Sequence, residues 1–330
     1  MSAEAVTSDE CEAGFRLIAD ELLVDDPVCV PEDPQRVVIG LSASFLHPFQ
    51  VKPIGAFGLV RDSDNFPDLA PWLNDGITSI DVPYSLEQLT ALDPDLMIFG
   101  STYVVDIQTT LPNIAPTLIL DSSNNDYFHL QTFHRFLGRV FGQEALVEEQ
   151  LALYEQRLAE LRTAIDAELG SLADVQVSMA RFYGEERFTL MSRYGDAGAI
   201  LDEIGFGRPA AIDYTPEEIL EVYGAGPGEG FTGLAALSKE RLDLLDGDTL
   251  IIVASTGGLD SQQAGGAAIV ETLSDDPLWQ QLNVVQQDQT HFVPALWLSR
   301  SHYYAAHSQL DDLSSIFDVI IPTPNPLSVD

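Results

Sequence analysis

Apolar positions along this 330-residue chain follow two alternating patterns. Short, wholly apolar runs recur in the first third: Val37-Val38-Ile39-Gly40-Leu41, Pro53-Ile54-Gly55-Ala56, Asp95-Leu96-Met97-Ile98-Phe99-Gly100 and Thr117-Leu118-Ile119-Leu120. Runs of this kind, without polar alternation, predict strands covered on both faces, as in a parallel sheet. A short helical stretch, Leu86 to Leu92, lies between them. The first ~130 residues therefore predict an α/β arrangement. From Gln143 the period changes. Leu146, Gln150, Leu153, Arg157, Leu161, Ile165 and Leu169 recur at helical spacing, and neither Gly nor Pro interrupts Glu144 to Leu169. One helix of about 26 residues, ~39 Å long, is predicted there. That is too long for an ordinary α/β crossover and suits a spacer between two lobes.

Apolar runs resume at Val175-Gln176-Val177-Ser178-Met179-Ala180, Thr249-Leu250-Ile251-Ile252-Val253 and His291-Phe292-Val293. Gly224 to Gly233 reads as a loop and Pro322 to Asp330 as an irregular tail. An internal repeat organises the rest. Ser85 to Ile98 aligns without gaps to Ser238 to Ile251 at a constant offset of 153 residues, with Ser, Glu, Leu, Leu, Asp, Asp and Ile identical in register. Each copy predicts a serine-capped helix with a Glu in its first turn, then an Asp-bearing turn, then a buried strand. The expected division is an N-terminal hairpin over 1–33, an α/β lobe over 34–142, a linker helix over 143–170 and a second α/β lobe over 171–330, with a cleft between the lobes.

Charge narrows the partners. The chain holds 52 acidic and 15 basic residues, a net charge of -37. Only Lys52 and Lys239 are lysines. Nucleic acid is excluded, since backbone binding needs a cationic surface, and an anionic membrane face is disfavoured on the same ground. No apolar run approaches the ~18 residues of a membrane span. Ser2 to Glu12 shows neither a basic nor an apolar leader region, which fits a cytoplasmic protein or one whose export segment has been removed. Cys11 and Cys29 flank a pattern that suits a strand, a turn and a returning strand. A disulfide there would contribute on the order of 3 kcal/mol and imply an oxidising compartment. Two free thiols are the alternative.

These blocks resemble a known family. Phe15 to Val37, with Cys29-Val30-Pro31 and Pro34-Gln35-Arg36-Val37-Val38, is similar to the lead-in of iron-siderophore substrate-binding proteins of ABC transporters. Further blocks follow in the family's order: Ser85-Leu86-Glu87 to Pro94-Asp95-Leu96, Ile114-Ala115-Pro116-Thr117, Gly138 to Gly142, Tyr154 to Leu161, Ile200 to Pro209, and Pro277 to Leu282. The resemblance implies a class III periplasmic binding protein fold: two Rossmann-like lobes with mainly parallel sheets, joined by a single long helix. It implies a monomer outside the cytoplasmic membrane, anchored as a lipoprotein, that hands a ferric siderophore to a permease dimer and catalyses nothing. It also gives Glu87 and Glu240, one on each lobe, a role in docking onto permease arginines; two helix-start glutamates without a partner are the alternative.

Ligands of α/β lobes bind beyond the carboxyl ends of the strands. In the first lobe that rim should hold Ser42 to His47, Arg61, Tyr84 and Ser101-Thr102-Tyr103. In the second it should hold Arg181 to Tyr183, Arg193-Tyr194, Ser255-Thr256 and Trp297 to Tyr304. The expected ligand contacts are Arg181, Arg193, Tyr103, Tyr84, Trp297, Arg300 and Tyr303, because guanidinium suits carboxylate, catecholate or hydroxamate oxygens and aromatic rings suit flat chelates. Arg187 is the third arginine of that segment, with surface ion pairing as its alternative. No cofactor and no protein-bound metal are expected: His129/His134 and His302/His307 are each five apart and fall on different helix faces. Neither a His-x-x-x-His nor a Cys-x-x-Cys pair occurs. Haem or a corrinoid remains an alternative cargo, with His47 or a Tyr as ligand. An α/β enzyme is the rival of another class, though the chain has no phosphate loop, nucleophile elbow or dinucleotide fingerprint.

Overall fold

The computed structural model describes residues 11–24, 27–122, 129–182, 187–191, 197–210, 212–213, 218, 221, 233–254, 273–299 and 301–327. The chain divides into two units, Met1–Leu151 and Ala152–Asp330. The first opens with an antiparallel hairpin, β1 (Phe15–Ile18) and β2 (Val28–Pro31), in register Leu17↔Cys29. Cys11 and Cys29 are joined as a disulfide with Cα atoms 5.7 Å apart, closing this hairpin. Behind it stands a five-stranded parallel sheet in the order β5-β4-β3-β6-β7. Its strands are β3 (Val37–Ser42), β4 (Gly55–Phe57), β5 (Thr78–Ser79), β6 (Leu96–Gly100) and β7 (Thr117–Leu120). Every residue of β6 and β7 is buried, as runs without polar alternation require. Helices α1 (Leu59–Asn65), α2 (Ala70–Leu73), α3 (Leu86–Ala91) and α4 (Leu130–Phe141) belong to the same unit.

The second unit repeats that plan. Its strands are β8 (Val177–Phe182), β9 (Arg187–Met191), β10 (Gly233–Ser238), β11 (Thr249–Ala254) and β12 (Thr290–Pro294), in the order β10-β9-β8-β11-β12. Counted from the first strand of each sheet, the two orders are the same. β8, β11 and β12 run parallel, while β9 is antiparallel to both of its neighbours. The expectation of mainly parallel sheets is met, but β5, β9 and β10 go beyond the strands read from the sequence.

The internal repeat has a physical explanation. Asp95 accepts hydrogen bonds from the backbone N–H groups of Gln35 and Arg36 at 2.7 and 2.9 Å, immediately before β3. Asp248, its counterpart, accepts from the N–H of Gln176 at 2.8 Å, immediately before β8. Each carboxylate thus fixes how the chain enters the middle strand of its sheet. The serines correspond as well: Ser85 accepts from Gln88 N–H and Ser238 from Glu240 N–H. The second copy differs in coiling as a 3-10 helix, Lys239–Leu245, with a kink at Arg241, where the first is α-helical.

Helix α5 spans Glu144–Leu169, the predicted 26 residues. Its buried apolar stripe is Val147, Leu151, Tyr154, Leu158, Leu161 and Ile165, one position on from the residues read in the sequence up to Leu158 and coincident with them at Leu161 and Ile165. Before Leu151 its bonds go to the first unit: Gln150 Nε2 donates to the Pro48 carbonyl, and Gln150 Oε1 lies 2.7 Å from His134 Nε2. After it, they go to the second. Arg157 is 1% exposed and donates to the carbonyls of Thr323 and His307 and to Asp311, with Nη1 2.9 Å from His307 Nδ1. The irregular tail is therefore tied down: Thr323 and Asn325 bond Glu160 and Asp311.

Burial holds the His134 imidazole well below its usual pKa, at about 4, with the hydrogen bond to Gln150 acting weakly the other way. The unfolded chain therefore binds a proton that the native one refuses between about pH 6.5 and 4. Stability is full above that window and is lost as pH falls through it, by about 3 kcal/mol from this group. Urea unfolding midpoints measured from pH 7.5 to 4 should show the loss, and His134→Gln should flatten it.

Candidate functional site at the carboxyl ends of the strands

In each sheet the strand numbers descend on one side of the middle strand and ascend on the other. The crevice that ligands use in such sheets opens where the order reverses, beyond the carboxyl ends. That point lies between β3 and β6 in the first unit and between β8 and β11 in the second.

In the first unit the β3–β6 ladder ends at Ile39↔Ile98. Beyond it stand Ser42, the 3-10 turn Ala43–Phe49 and the turn Ser101–Tyr103. Ser101 Oγ accepts from the N–H of Ser122 at 3.0 Å, which binds the end of β6 to that of β7. Tyr103 is 44% exposed, with its ring 6.2 Å from that of Phe57 at the end of β4. His47 stands edge-on to Trp72 at 4.9 Å, and partial burial lowers its pKa.

In the second unit Arg181 is the fifth residue of β8, in register with Val253 on β11 and Thr189 on β9. Its neighbours Ala180 and Phe182 are fully buried, while Arg181 itself is partly exposed. A guanidinium here stands at the carboxyl end of the middle strand, on the side where the strand order reverses.

The remaining candidates divide. Glu87 and Glu240 are both exposed in the first turn of their helices. Arg193, Tyr194, Ser255, Thr256 and Arg300, the Gly224–Gly233 loop before its last residue, and the side chains of Arg61 and Arg187 lie outside the described residues. Three aromatic candidates are buried. Tyr84 is 7% exposed, packs against Phe99 at 4.9 Å and donates its hydroxyl to the Gly40 carbonyl at 2.9 Å. Trp297 is 1% exposed, with its indole N–H donated to Asp312 at 2.6 Å and its carbonyl accepting from Gln309. Tyr303 is 3% exposed, 4.6 Å from His307, and burial raises its phenol pKa, with Tyr304 adding to the effect. For Tyr84 and Trp297 the interior supplies the ring's polar tip with a partner. Trp279 is buried as well, at 4% exposure, edge-on to Phe182. Sequence reasoning missed Asp62, a carboxylate 2% exposed in α1. Among the described residues, no group of three or more His, Cys, Asp or Glu could hold a metal ion.

Two α/β units of matching strand order, linked through one 26-residue helix, define a two-lobed solute-binding protein of the class III type. Residues 51–295 match the family described as Periplasmic binding protein, and the chain belongs to that family. It is similar to the Fe(3+) dicitrate-binding periplasmic protein FecB of Escherichia coli (strain K12), 26% identical over 292 residues that cover 86% of this chain and 85% of FecB. It is also similar to the iron(3+)-hydroxamate-binding protein FhuD of Bacillus subtilis (strain 168), 25% identical over 260 residues, 78% of this chain and 73% of FhuD. Among solved structures, Staphylococcus aureus SirA complexed with staphyloferrin B superposes with a TM-score of 0.71 at 21% identity, covering 92% of this chain and 99% of SirA.

Burial raises the pKa of Asp312, the acceptor of the Trp297 indole, and the Trp297 bond opposes that rise. Asp312→Ala should leave the indole N–H without its acceptor and cost about 1–3 kcal/mol in thermal or urea unfolding. Asp312→Asn, which keeps an acceptor oxygen and sheds a desolvated charge, should stay close to the parent.

Proposed function

We propose that this protein is the receptor of an iron importer: it binds a ferric siderophore outside the cytoplasmic membrane and delivers it to an ABC permease, without catalysing a reaction. The observation that carries this reading is Arg181, a cation at the carboxyl end of the middle strand, where the strand order reverses, in a member of the periplasmic binding protein family. A guanidinium offers paired donors to carboxylate, catecholate or hydroxamate oxygens. On a chain of net charge -37, a local cation is also what an anionic chelate needs at close range. The exposed Tyr103 ring, beyond the carboxyl end of β6, offers a flat face to a chelate. Names of relatives such as FecB and FhuD point to iron chelates of different chemistry. The Cys11–Cys29 disulfide suits an oxidising, extracytoplasmic location, where a lipid anchor would hold the protein at the membrane.

The test is a tryptophan-fluorescence titration with ferric citrate and a ferric hydroxamate, using haem and a corrinoid as controls. One of the two iron chelates should bind, and Arg181→Ala should weaken that binding by tenfold or more, about 1.4 kcal/mol. Binding of a control alone, or an unaltered affinity in the variant, would overturn the assignment.

Glu87 and Glu240 are proposed as the two permease-docking charges, acting on orientation and encounter more than on ligand affinity. Reversing both to Arg should abolish iron uptake in cells while leaving the titration unchanged. A large fall in chelate affinity would show that these glutamates serve the ligand instead.

A further inference from the structure

β3 is the middle strand of the first sheet, yet its ladder breaks where the ligand face begins. Pairing with β4 runs Val38↔Gly55 and Ile39↔Ala56, then slips so that Ser42 faces Phe57. Pairing with β6 stops at Ile39↔Ile98. Gly40 and Leu41 are thus extra residues, a bulge next to the point where the strand order reverses. A bulge frees main-chain groups from the ladder and re-aims the side chains that follow it, and freed groups in an interior need new partners.

Named side chains answer both needs. Tyr84, 44 residues along the chain, donates its hydroxyl to the Gly40 carbonyl at 2.9 Å, with its ring 4.9 Å from Phe99 and 6.4 Å from Phe57. Residue 40 has to be glycine, because a Cβ there would run into the Phe99 ring. Ser42, just past the bulge, donates through Oγ to Asp62 Oδ2 at 2.6 Å, and its Oγ is hydrogen-bonded with that of the fully buried Ser44. Asp62 belongs to α1, which follows β4, and its own N–H bonds back to the Gly58 carbonyl. A carboxylate kept almost wholly from water is costly unless hydrogen-bonded, and here the bond is made to the first side chain of the ligand-facing turn.

We propose that Tyr84 and Asp62 are positioning residues of the first unit's ligand face: they hold the β3 bulge and so fix where the Ser42–Phe49 turn stands against a bound iron chelate. The proposal rests on the receptor reading for its ligand, but the bulge can be tested without one.

The experiment uses the full chain and the variants Tyr84→Phe, Asp62→Ala and Asp62→Asn. Amide hydrogen exchange of the free protein is measured alongside affinity for whichever of ferric citrate and the ferric hydroxamate the unaltered chain binds. Tyr84→Phe and Asp62→Ala should speed exchange of the amides at 41–44 by about tenfold, leaving β6 and β7 protected. They should weaken binding by about tenfold, while Asp62→Asn, which keeps an acceptor oxygen, restores both. Unchanged exchange at 41–44, a rise spread over the whole sheet, or a local rise with unaltered affinity would each overturn the proposal. If the unaltered chain binds neither chelate, the receptor reading falls by itself, and the exchange measurement alone decides whether these two groups hold the bulge.

Discussion

Burial on both faces of a sheet is the constraint from which each unit follows. A parallel strand covered above and below has no polar side to show, so its residues are apolar throughout, and chemistry is pushed to the ends. Val37 to Ile39, Leu96 to Gly100 and Leu250 to Val253 obey this over their whole length. Hydroxyls such as Ser178 and Thr117 fit inside by bonding backbone carbonyls, so three other departures stand out: a guanidinium on β8, a bulge in β3 and a buried carboxylate on α1. All three sit at the carboxyl ends of the strands.

The same constraint explains the duplicated motif. A middle strand flanked on both sides must enter its sheet at a defined height, since a slip of one residue would displace every partner. Asp95 and Asp248 set that height by accepting backbone donors just ahead of β3 and β8. The repeat kept its aspartate and serine while its helix changed from α to 3-10, because the cap and the clamp are bonds to backbone and do not depend on the coil between them.

Much of this was legible in the sequence, and the rest failed for identifiable reasons. The long helix was legible because no Gly or Pro interrupts it, and the strand Thr117–Leu120 because it is apolar and bounded by turns. β5 was not, since Thr78-Ser79 is a two-residue, exposed edge. β9 and β10 were not, because they are antiparallel additions, one opening on Arg187 and the other rich in Ala and Gly, without the β-branched signal. At the candidate site Arg181 was found by its position after a buried run. The burial of Tyr84, Trp297 and Tyr303 was not legible, because one aromatic ring with one polar tip reads alike at a rim and in a core; for Tyr84 and Trp297 the partner, a Gly40 carbonyl or an Asp312 carboxylate, makes the difference. The bulge left a single trace, a glycine inside an apolar strand, and Asp62 left none.

The buried guanidinium of Arg157 has a consequence for the order of events during synthesis. Its partners are spread from His307 to Thr323, and Asn325 bonds the Asp311 that completes the set. Until those late residues emerge, the Arg157 guanidinium lacks the partners that allow its burial, so the second unit cannot close around it. The first unit, whose middle strand is clamped by a residue fewer than sixty positions further on, suffers no such delay. Growth from the ribosome should thus yield one finished half attached to a half that waits for the last twenty-odd residues of the chain.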